Sequence, residues 1–299
     1  MKKFQFKKID AFTSGASSGN PAGYIELNSS ADITESEMQQ IAFELKNFVS
    51  EVGYVSQSQE NGVDFDFRYF SCEKEVPFCG HATVAICYEL AKENKNFRSK
   101  SHFRIRTKKG ILRIENKIES ENLVYIQAPP PAFIKSSIDL KYTAAALGIS
   151  EDEIDSSRPS GIVNAGQNTL MVPIISSAVC INCAPDYMTL REYSLKNNIE
   201  IINIYTSDTI NDQNHLRTRV FAPAFGYLED PATGSGNAAL GYFLIKHKIW
   251  TSQKMIIEQG VSRDNPNIVV LLKINDNEIK IGGRAVTRIN GEYILTGDE

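Results

Sequence analysis

Glu51, His81, Asp230 and Ser235 are the side chains whose types and settings suit moving a proton on a small acid. His81 lies in Glu75-Val76-Pro77-Phe78-Cys79-Gly80-His81-Ala82, and Ser235 in Glu229-Asp230-Pro231-Ala232-Thr233-Gly234-Ser235-Gly236. The two runs are 154 positions apart and align without gaps. Glu75 matches Glu229, Pro77 matches Pro231 and Gly80 matches Gly234, then Ala85 matches Ala239, Tyr88 matches Tyr242 and Leu90 matches Leu244. Each run reads as a turn, a glycine and an apolar stretch of helical period, so two related halves are expected. Each half presents a helix start whose first backbone N–H groups lack intrahelical partners. Two such starts facing one cleft would hold an anion, most simply a carboxylate. The candidate chemistry lies where the copies differ: Val76 against Asp230, and His81 against Ser235.

Each candidate also has an ordinary reading. Glu51 is a lone carboxylate in an apolar stretch, either at the surface or a helix end, or buried near Phe48 and Tyr54. Burial would favour its neutral form and suit it to general acid–base work. His81 either packs at a turn or carries a proton. Asp230 and Ser235 are also common residues at helix starts. Gly234-Ser235-Gly236 lacks the spacers of the G-x-S-x-G nucleophile elbow, and glycine-rich phosphate loops are absent. Cys79 at a helix start could be a thiolate base. Its counterpart is Thr233, which breaks any two-thiol mechanism.

The chain has 299 residues, long for one core and natural for two domains. A net charge of −4 gives no basic footprint for nucleic acid. No apolar run reaches the roughly 18 residues that span a bilayer, and the lysine-rich N-terminus has no apolar core of a signal peptide. Five cysteines, an odd number, fit a reducing cytoplasm better than a disulfide framework. Cys180-Ile181-Asn182-Cys183 lacks a second ligand pair for structural zinc and reads as two partly buried thiols. No metal and no cofactor are expected; a homodimer is compatible with the sequence.

These residues need elements to position them. Strands are predicted over 4–12, 22–27, 52–56 and 63–70, the last alternating Val63, Phe65, Phe67 and Tyr69 on one face. Thr34-Glu35-Ser36-Glu37 is a capping box opening a helix that carries Ile41, Leu45 and Phe48. A helix over about 82–92 follows the first glycine turn, then strands near 102–107, 111–116 and 123–128. Three prolines at 129–131 mark a boundary, because they can continue neither a helix nor a central strand. Beyond them, helices are predicted near 141–147, 187–197 and 237–248. Strands are predicted near 201–206, 216–222, 254–259, 268–274 and 278–283. Asn290-Gly291 signals a final hairpin. The helix after each glycine turn is apolar nearly all round and must be enclosed. A curved antiparallel sheet around a central helix would do this, giving an α+β fold.

The segments "DAFTSGASSGNPAGYIEL", "NFVSEVGYV", "RYFSCEKEVPFCGHATVAI", "RVFAPAFGYLEDPATGSGNAAL", "IIEQG" and "GGRAVTRINGEYIL" run in order along almost the whole chain. Together they resemble the phenazine biosynthesis PhzF-like family. The resemblance implies a diaminopimelate-epimerase-like fold of two pseudo-symmetric barrel domains with the active site in the cleft between them. The domains would be 1–128, completed by strands at about 286–299, and 132–285. It implies a cofactor-free isomerase similar to trans-2,3-dihydro-3-hydroxyanthranilate isomerase. Glu51 would be the proton shuttle, and His81, Asp230 and Ser235 would orient the substrate. Asn20, Gly80, Gly234 and Gly236 would bind it. Val52 departs from the family's usual threonine after the glutamate. Two alternatives remain open: a racemase or epimerase using Cys79 as base, and a small-acid-binding protein without turnover.

Overall fold

The computed structural model describes residues 1–136 and 138–296. The chain divides into two compact units. One comprises Met1–Gln127 and the chain from Gly282 onward; the other is Ala128–Ile281.

The first unit opens with strands β1 (Lys2–Ala11) and β2 (Asn20–Glu26) and helix α1 (Glu35–Glu44). The Thr34 hydroxyl accepts from the Glu37 N–H, and the Glu37 carboxylate accepts from the Thr34 N–H, closing the capping box. Strands β3 (Glu51–Gln57), β4 (Phe65–Ser71) and the two-residue β5 (Glu75–Val76) lead into helix α2 (Gly80–Glu93). Helix α3 (Lys95–Arg98) and strands β6 (His102–Thr107), β7 (Gly110–Lys117) and β8 (Leu123–Gln127) follow.

The second unit runs through β9 (Ala132–Ile134), α4 (Leu140–Leu147), β10 (Gly161–Asn164), β11 (Asn168–Pro173), α5 (Ser177–Asn182) and α6 (Tyr187–Lys196). Then come β12 (Ile201–Thr206), β13 (Leu216–Phe221), the two-residue β14 (Glu229–Asp230) and α7 (Gly234–Lys246). Strands β15 (Lys254–Gln259) and β16 (Asn267–Asn275) follow, β17 (Glu278–Gly283) crosses the boundary at Ile281, and β18 (Ala285–Leu295) belongs to the first unit.

Each unit has one helix that cannot lie on a surface. Every residue of α2 from Ala82 to Ala91 is buried, and α7 is buried from Gly236 to Ile245. The sheet of each unit supplies the enclosure: α2 packs on β1, β2, β3, β8 and β18, and α7 on β10, β11, β12 and β16. Small residues permit the close approach. A Cβ on Gly53 of β3 would stand 2.3 Å from Ile86 of α2, and one on Gly241 of α7 would stand 2.8 Å from Leu271.

Both units pair their strands in one pattern. In the first, β2–β3 and β4–β6 are parallel, while β3–β4, β4–β5 and β6–β7 are antiparallel. In the second, β11–β12 and β13–β15 are parallel, while β12–β13, β13–β14 and β15–β16 are antiparallel. The fold is α+β, but its sheets are mixed rather than antiparallel throughout. Each parallel pair is joined through helix, as a parallel connection requires: α1 between β2 and β3, α2 between β4 and β6, α5 and α6 between β11 and β12, and α7 between β13 and β15.

Two sequence expectations fail. Asn290-Gly291 makes no hairpin; both lie inside the continuous β18, opposite Lys7 and Phe6 of β1. A long partner strand outweighs a local turn preference. Strands β10 and β11 were not foreseen, because β11 is buried along nearly its whole length and shows no alternation. The last three residues of the expected 286–299 segment lie outside the described residues.

A recurring ion pair anchors the turn before each enclosed helix. The Arg68 guanidinium donates through Nε and Nη2 to the two oxygens of Glu75, at 2.8 and 2.7 Å. Arg219 does the same to Glu229, at 2.9 and 2.7 Å. Each guanidinium also stacks on a phenylalanine two residues on, Phe70 or Phe221. Arg219 additionally gathers the carbonyls of Cys180, Ile181 and Cys183 at the end of α5. A second pair recurs with its charges exchanged. Arg106 grips Asp66 at a partly exposed site, whereas Arg217 meets Glu258 at 2.9 Å with both side chains fully buried. Glu258 also accepts from the Ile210 and Asn211 N–H groups and from Asn214.

Two outcomes follow from these buried groups. Arg217→Met strands the Glu258 carboxylate in the core and is expected to cost about 3–5 kcal/mol in urea unfolding. Arg217→Met combined with Glu258→Leu should recover part of that loss. The Cys180 and Cys183 thiols are pushed up by burial to about 12 and about 11. An unfolded cysteine titrates near 8.5, so the folded state keeps protons that the unfolded chain releases. That contribution is complete below about pH 8.5 and is lost as the pH rises toward 11. Unfolding midpoints across this range should fall, and less steeply in Cys183→Ala.

Candidate functional site

In the first unit three sequence-predicted groups converge where β3 begins and α2 starts. Glu51 is the first residue of β3, paired with Ala22 of β2 and Ser71 of β4. Cys79 is the N-cap of α2, and His81 is its second residue. The Cys79 thiol donates to Glu51 Oε2 at 3.6 Å, and its Sγ lies 3.4 Å from His81 Nδ1. His81 Nε2 lies 3.3 Å from Glu51 Oε2. That nitrogen is enclosed yet has no aligned hydrogen-bond partner.

Of the two readings of Glu51, burial near Phe48 and Tyr54 is not found. Its side chain is 22% accessible, Phe48 is exposed, and the Tyr54 hydroxyl donates to the Met38 carbonyl. Strand alternation is the reason: Tyr54, three residues along β3, faces away from Glu51. A half-enclosed acid with polar neighbours results, open enough to meet a ligand.

At the helix start, the N-cap residue Cys79 makes no side-chain cap bond. Its backbone is extended (φ −130°, ψ 113°), and the first N–H groups of α2 lack intrahelical partners. The Thr83 hydroxyl donates to the Cys79 carbonyl at 2.6 Å and meets Tyr69 Oη at 2.6 Å, fixing the turn from the buried side. Asn20, the first residue of β2, is buried two residues before the partner of Glu51.

The second unit repeats this frame with other side chains. Thr233 is the uncapped N-cap of α7, with similar backbone angles (φ −120°, ψ 107°). Its hydroxyl instead donates back to Asp230 at 2.6 Å. Asn237 stands where Thr83 stands and donates to the Thr233 carbonyl at 2.9 Å. Ser235, second in α7, is partly exposed, and Gly234 and Gly236 are buried. Among the described residues, the Ser235 side chain makes no hydrogen bond.

Register shows why the acid occurs once. Val52 pairs with Phe70, and Ile202 with Phe221. Because Arg68–Glu75 and Arg219–Glu229 equate Phe70 with Phe221, the counterpart of Glu51 is Ile201. The carboxylate, thiol and imidazole of one unit therefore correspond to an isoleucine, a threonine and a serine at the equivalent positions of the other.

The sequence reading missed the residues that hold the site. Arg68 and Arg219 are described above. Gln259, fully buried, donates to the Asp230 carbonyl at 2.8 Å and accepts from the Thr233 N–H and Asn237. It thus binds the turn to the helix start. The signal was present as two arginines on strands, each followed seven or ten residues on by a glutamate.

Comparison with known proteins agrees with this geometry. The phenazine biosynthesis-like protein family model matches residues 9–291. An uncharacterized isomerase of Clostridium acetobutylicum is 32% identical over 309 residues, covering 99% of each chain. A trans-2,3-dihydro-3-hydroxyanthranilate isomerase of Pseudomonas chlororaphis is 28% identical, covering 96% of this chain and 98% of that protein. The crystal structure of a PhzF-family phenazine biosynthesis protein of Bacillus anthracis superposes with a TM-score of 0.85 at 27% identity, covering 99% of this chain and 100% of the other. With its repeated helix starts and its single acid, the chain belongs to the phenazine biosynthesis-like (PhzC-PhzF) family and is an isomerase of that family.

Proposed function

We propose that this isomerase moves a proton between carbons of a small carboxylic acid, with Glu51 as the shuttle. One observation carries the reading: Glu51 Oε2 lies within 3.6 Å of both Cys79 Sγ and His81 Nε2 beside an uncapped helix start. A shuttle must take a proton from one carbon and return it to another. A half-enclosed carboxylate can do both, and neighbouring donors steady its charged form. Free N–H groups at the start of α2 would hold the substrate carboxylate and the charge that develops during transfer. His81 is assigned to orient the substrate, together with Asn20 and Gly80. Asp230 and Ser235, with Gly234 and Gly236, are assigned the same task from the corresponding positions of the second unit. The side chains supply acid, base and donors themselves, so the reaction needs no cofactor. The 28% identical relative named for trans-2,3-dihydro-3-hydroxyanthranilate supports an unsaturated, amino- or hydroxy-substituted acid as the substrate class.

A second reading has its own observation. Cys79 Sγ touches both other groups, so the thiol could be the base of a racemase. Its counterpart, Thr233, hydrogen-bonds Asp230 and is no thiol, which favours the one-acid scheme.

Deuterium wash-in from D₂O into candidate acids, followed by NMR, tests both readings. Glu51→Gln keeps the shape but accepts no proton, so exchange should fall by about 10²–10⁴-fold. Cys79→Ser should keep most of it. Exchange at the parent rate in Glu51→Gln would refute the shuttle. Abolished exchange in folded Cys79→Ser would transfer the role to the thiol.

A further inference from the structure

Glu51, Cys79 and His81 offer more than a proton relay. They are a carboxylate, a thiol and an imidazole whose donor atoms all lie within 4.8 Å of one another. We propose that these three side chains form a binding site for a zinc-class divalent cation, and that occupation shuts off Glu51.

Donor chemistry carries the first part of the argument. Thiolate with imidazole and carboxylate is a borderline-soft set that suits Zn²⁺ and Co²⁺ and does not suit Mg²⁺ or Ca²⁺. Three protein ligands with one place left open is the arrangement of accessible rather than structural zinc sites.

Spacing carries the second part. Zinc binds sulfur at about 2.3 Å and nitrogen or oxygen at about 2.0–2.2 Å, which puts tetrahedral ligands roughly 3.3–3.6 Å apart. Here Sγ to Oε2 is 3.6 Å and Nε2 to Oε2 is 3.3 Å, with the three donor atoms all within 4.8 Å of one another. One imidazole nitrogen would ligate, and the donors would draw together around the cation from their 4.8 Å spread. The enclosed His81 Nε2, which has no aligned hydrogen-bond partner, is the donor left for that purpose.

Backbone and charge support the site. Cys79 as N-cap and His81 two residues on project from the same end of α2, and β3 brings Glu51 to them. The helix start would repel a bare cation but favours the thiolate, and thiolate plus carboxylate balance the 2+ charge. Binding is a ligand exchange without electron transfer. The sulfur–metal bond forms as the S–H bond breaks, and the proton leaves to solvent. The Cys180–Cys183 pair is no rival, since both thiols are buried and held protonated.

That metal block of the shuttle rests on the function proposed above; the binding itself does not. Cobalt(II) is the probe for binding, titrated into the metal-free protein at about neutral pH. The expected result is a single equivalent bound, with a thiolate-to-cobalt charge-transfer band and the intense visible bands of four-coordinate cobalt. Zn²⁺ should bleach both bands. Cys79→Ser should lose the charge-transfer band while its circular dichroism is unchanged, and Glu51→Gln or His81→Gln should weaken binding by about tenfold or more. Binding without a thiolate band, or a band that survives in Cys79→Ser, would overturn the site. A band lost instead in Cys183→Ala would move it to the other pair and equally overturn it. Deuterium exchange then tests the block: Zn²⁺ should suppress it, and a chelator should restore it. Exchange unaffected by saturating Zn²⁺ in a protein that passes the cobalt test would refute the block and the Glu51 shuttle, leaving the metal site intact.

Discussion

An apolar helix that no surface can host is the constraint on which each unit depends. Helices α2 and α7 are buried on every side, so the sheet must curve around them rather than lie beneath them. Each buried apolar side chain contributes about 1.5–3 kcal/mol relative to exposure, and the run Val84, Ile86 and Leu90 repeats this along α2. Enclosure also fixes where the helix begins. Its sides are covered by strands, so its N-terminal end is the place where backbone donors can reach a ligand. Gly53 and Gly241 show how tight the fit is, for a single added methyl would collide with an enclosed side chain.

Ion pairs translate that constraint into a defined turn. Arg68–Glu75 and Arg219–Glu229 are bidentate, and each ties the middle of a long strand to the two-residue strand that precedes the helix. Such fork geometry restricts orientation more tightly than a lysine could. The pair at Asp66–Arg106 reappears reversed as Arg217–Glu258. A reversed pair preserves the attraction while changing both side chains, so the two halves kept the interaction and not the residues. The buried version also organises a loop, because Glu258 accepts two backbone N–H groups from it.

On this shared frame the chemistry is one-sided. Corresponding positions hold Glu51 and Ile201, Cys79 and Thr233, His81 and Ser235, Val76 and Asp230. The first unit gathers groups that can exchange protons or ligate a cation. In the second, the Thr233 hydroxyl hydrogen-bonds the Asp230 carboxylate and accepts from Gln259. A carboxylate, a thiol and an imidazole in mutual contact serve acid–base chemistry and soft-metal chemistry equally well. The same closeness that suits Glu51 to a shuttle makes it open to capture by zinc.

The repeat, the two enclosed helices and the candidate site residues were all legible along the chain. A glycine turn followed by an apolar helix writes its signature locally, in residues adjacent along the chain. Tertiary structure alone decided what lies beside what. The contact of Glu51 with Cys79 and His81 joins residues nearly thirty positions apart, and its distance follows from the packing of β3 against α2. The solvent access of Glu51 depended on which face of β3 it occupied, which a run of apolar neighbours did not reveal. Asn290-Gly291 shows the same limit in reverse, where a local turn signal yielded to the long antiparallel pairing of β18 with β1. Ladder hydrogen bonds and cross-strand contacts with a distant segment outweighed the preference of two residues, and no local reading of the chain contains that partner.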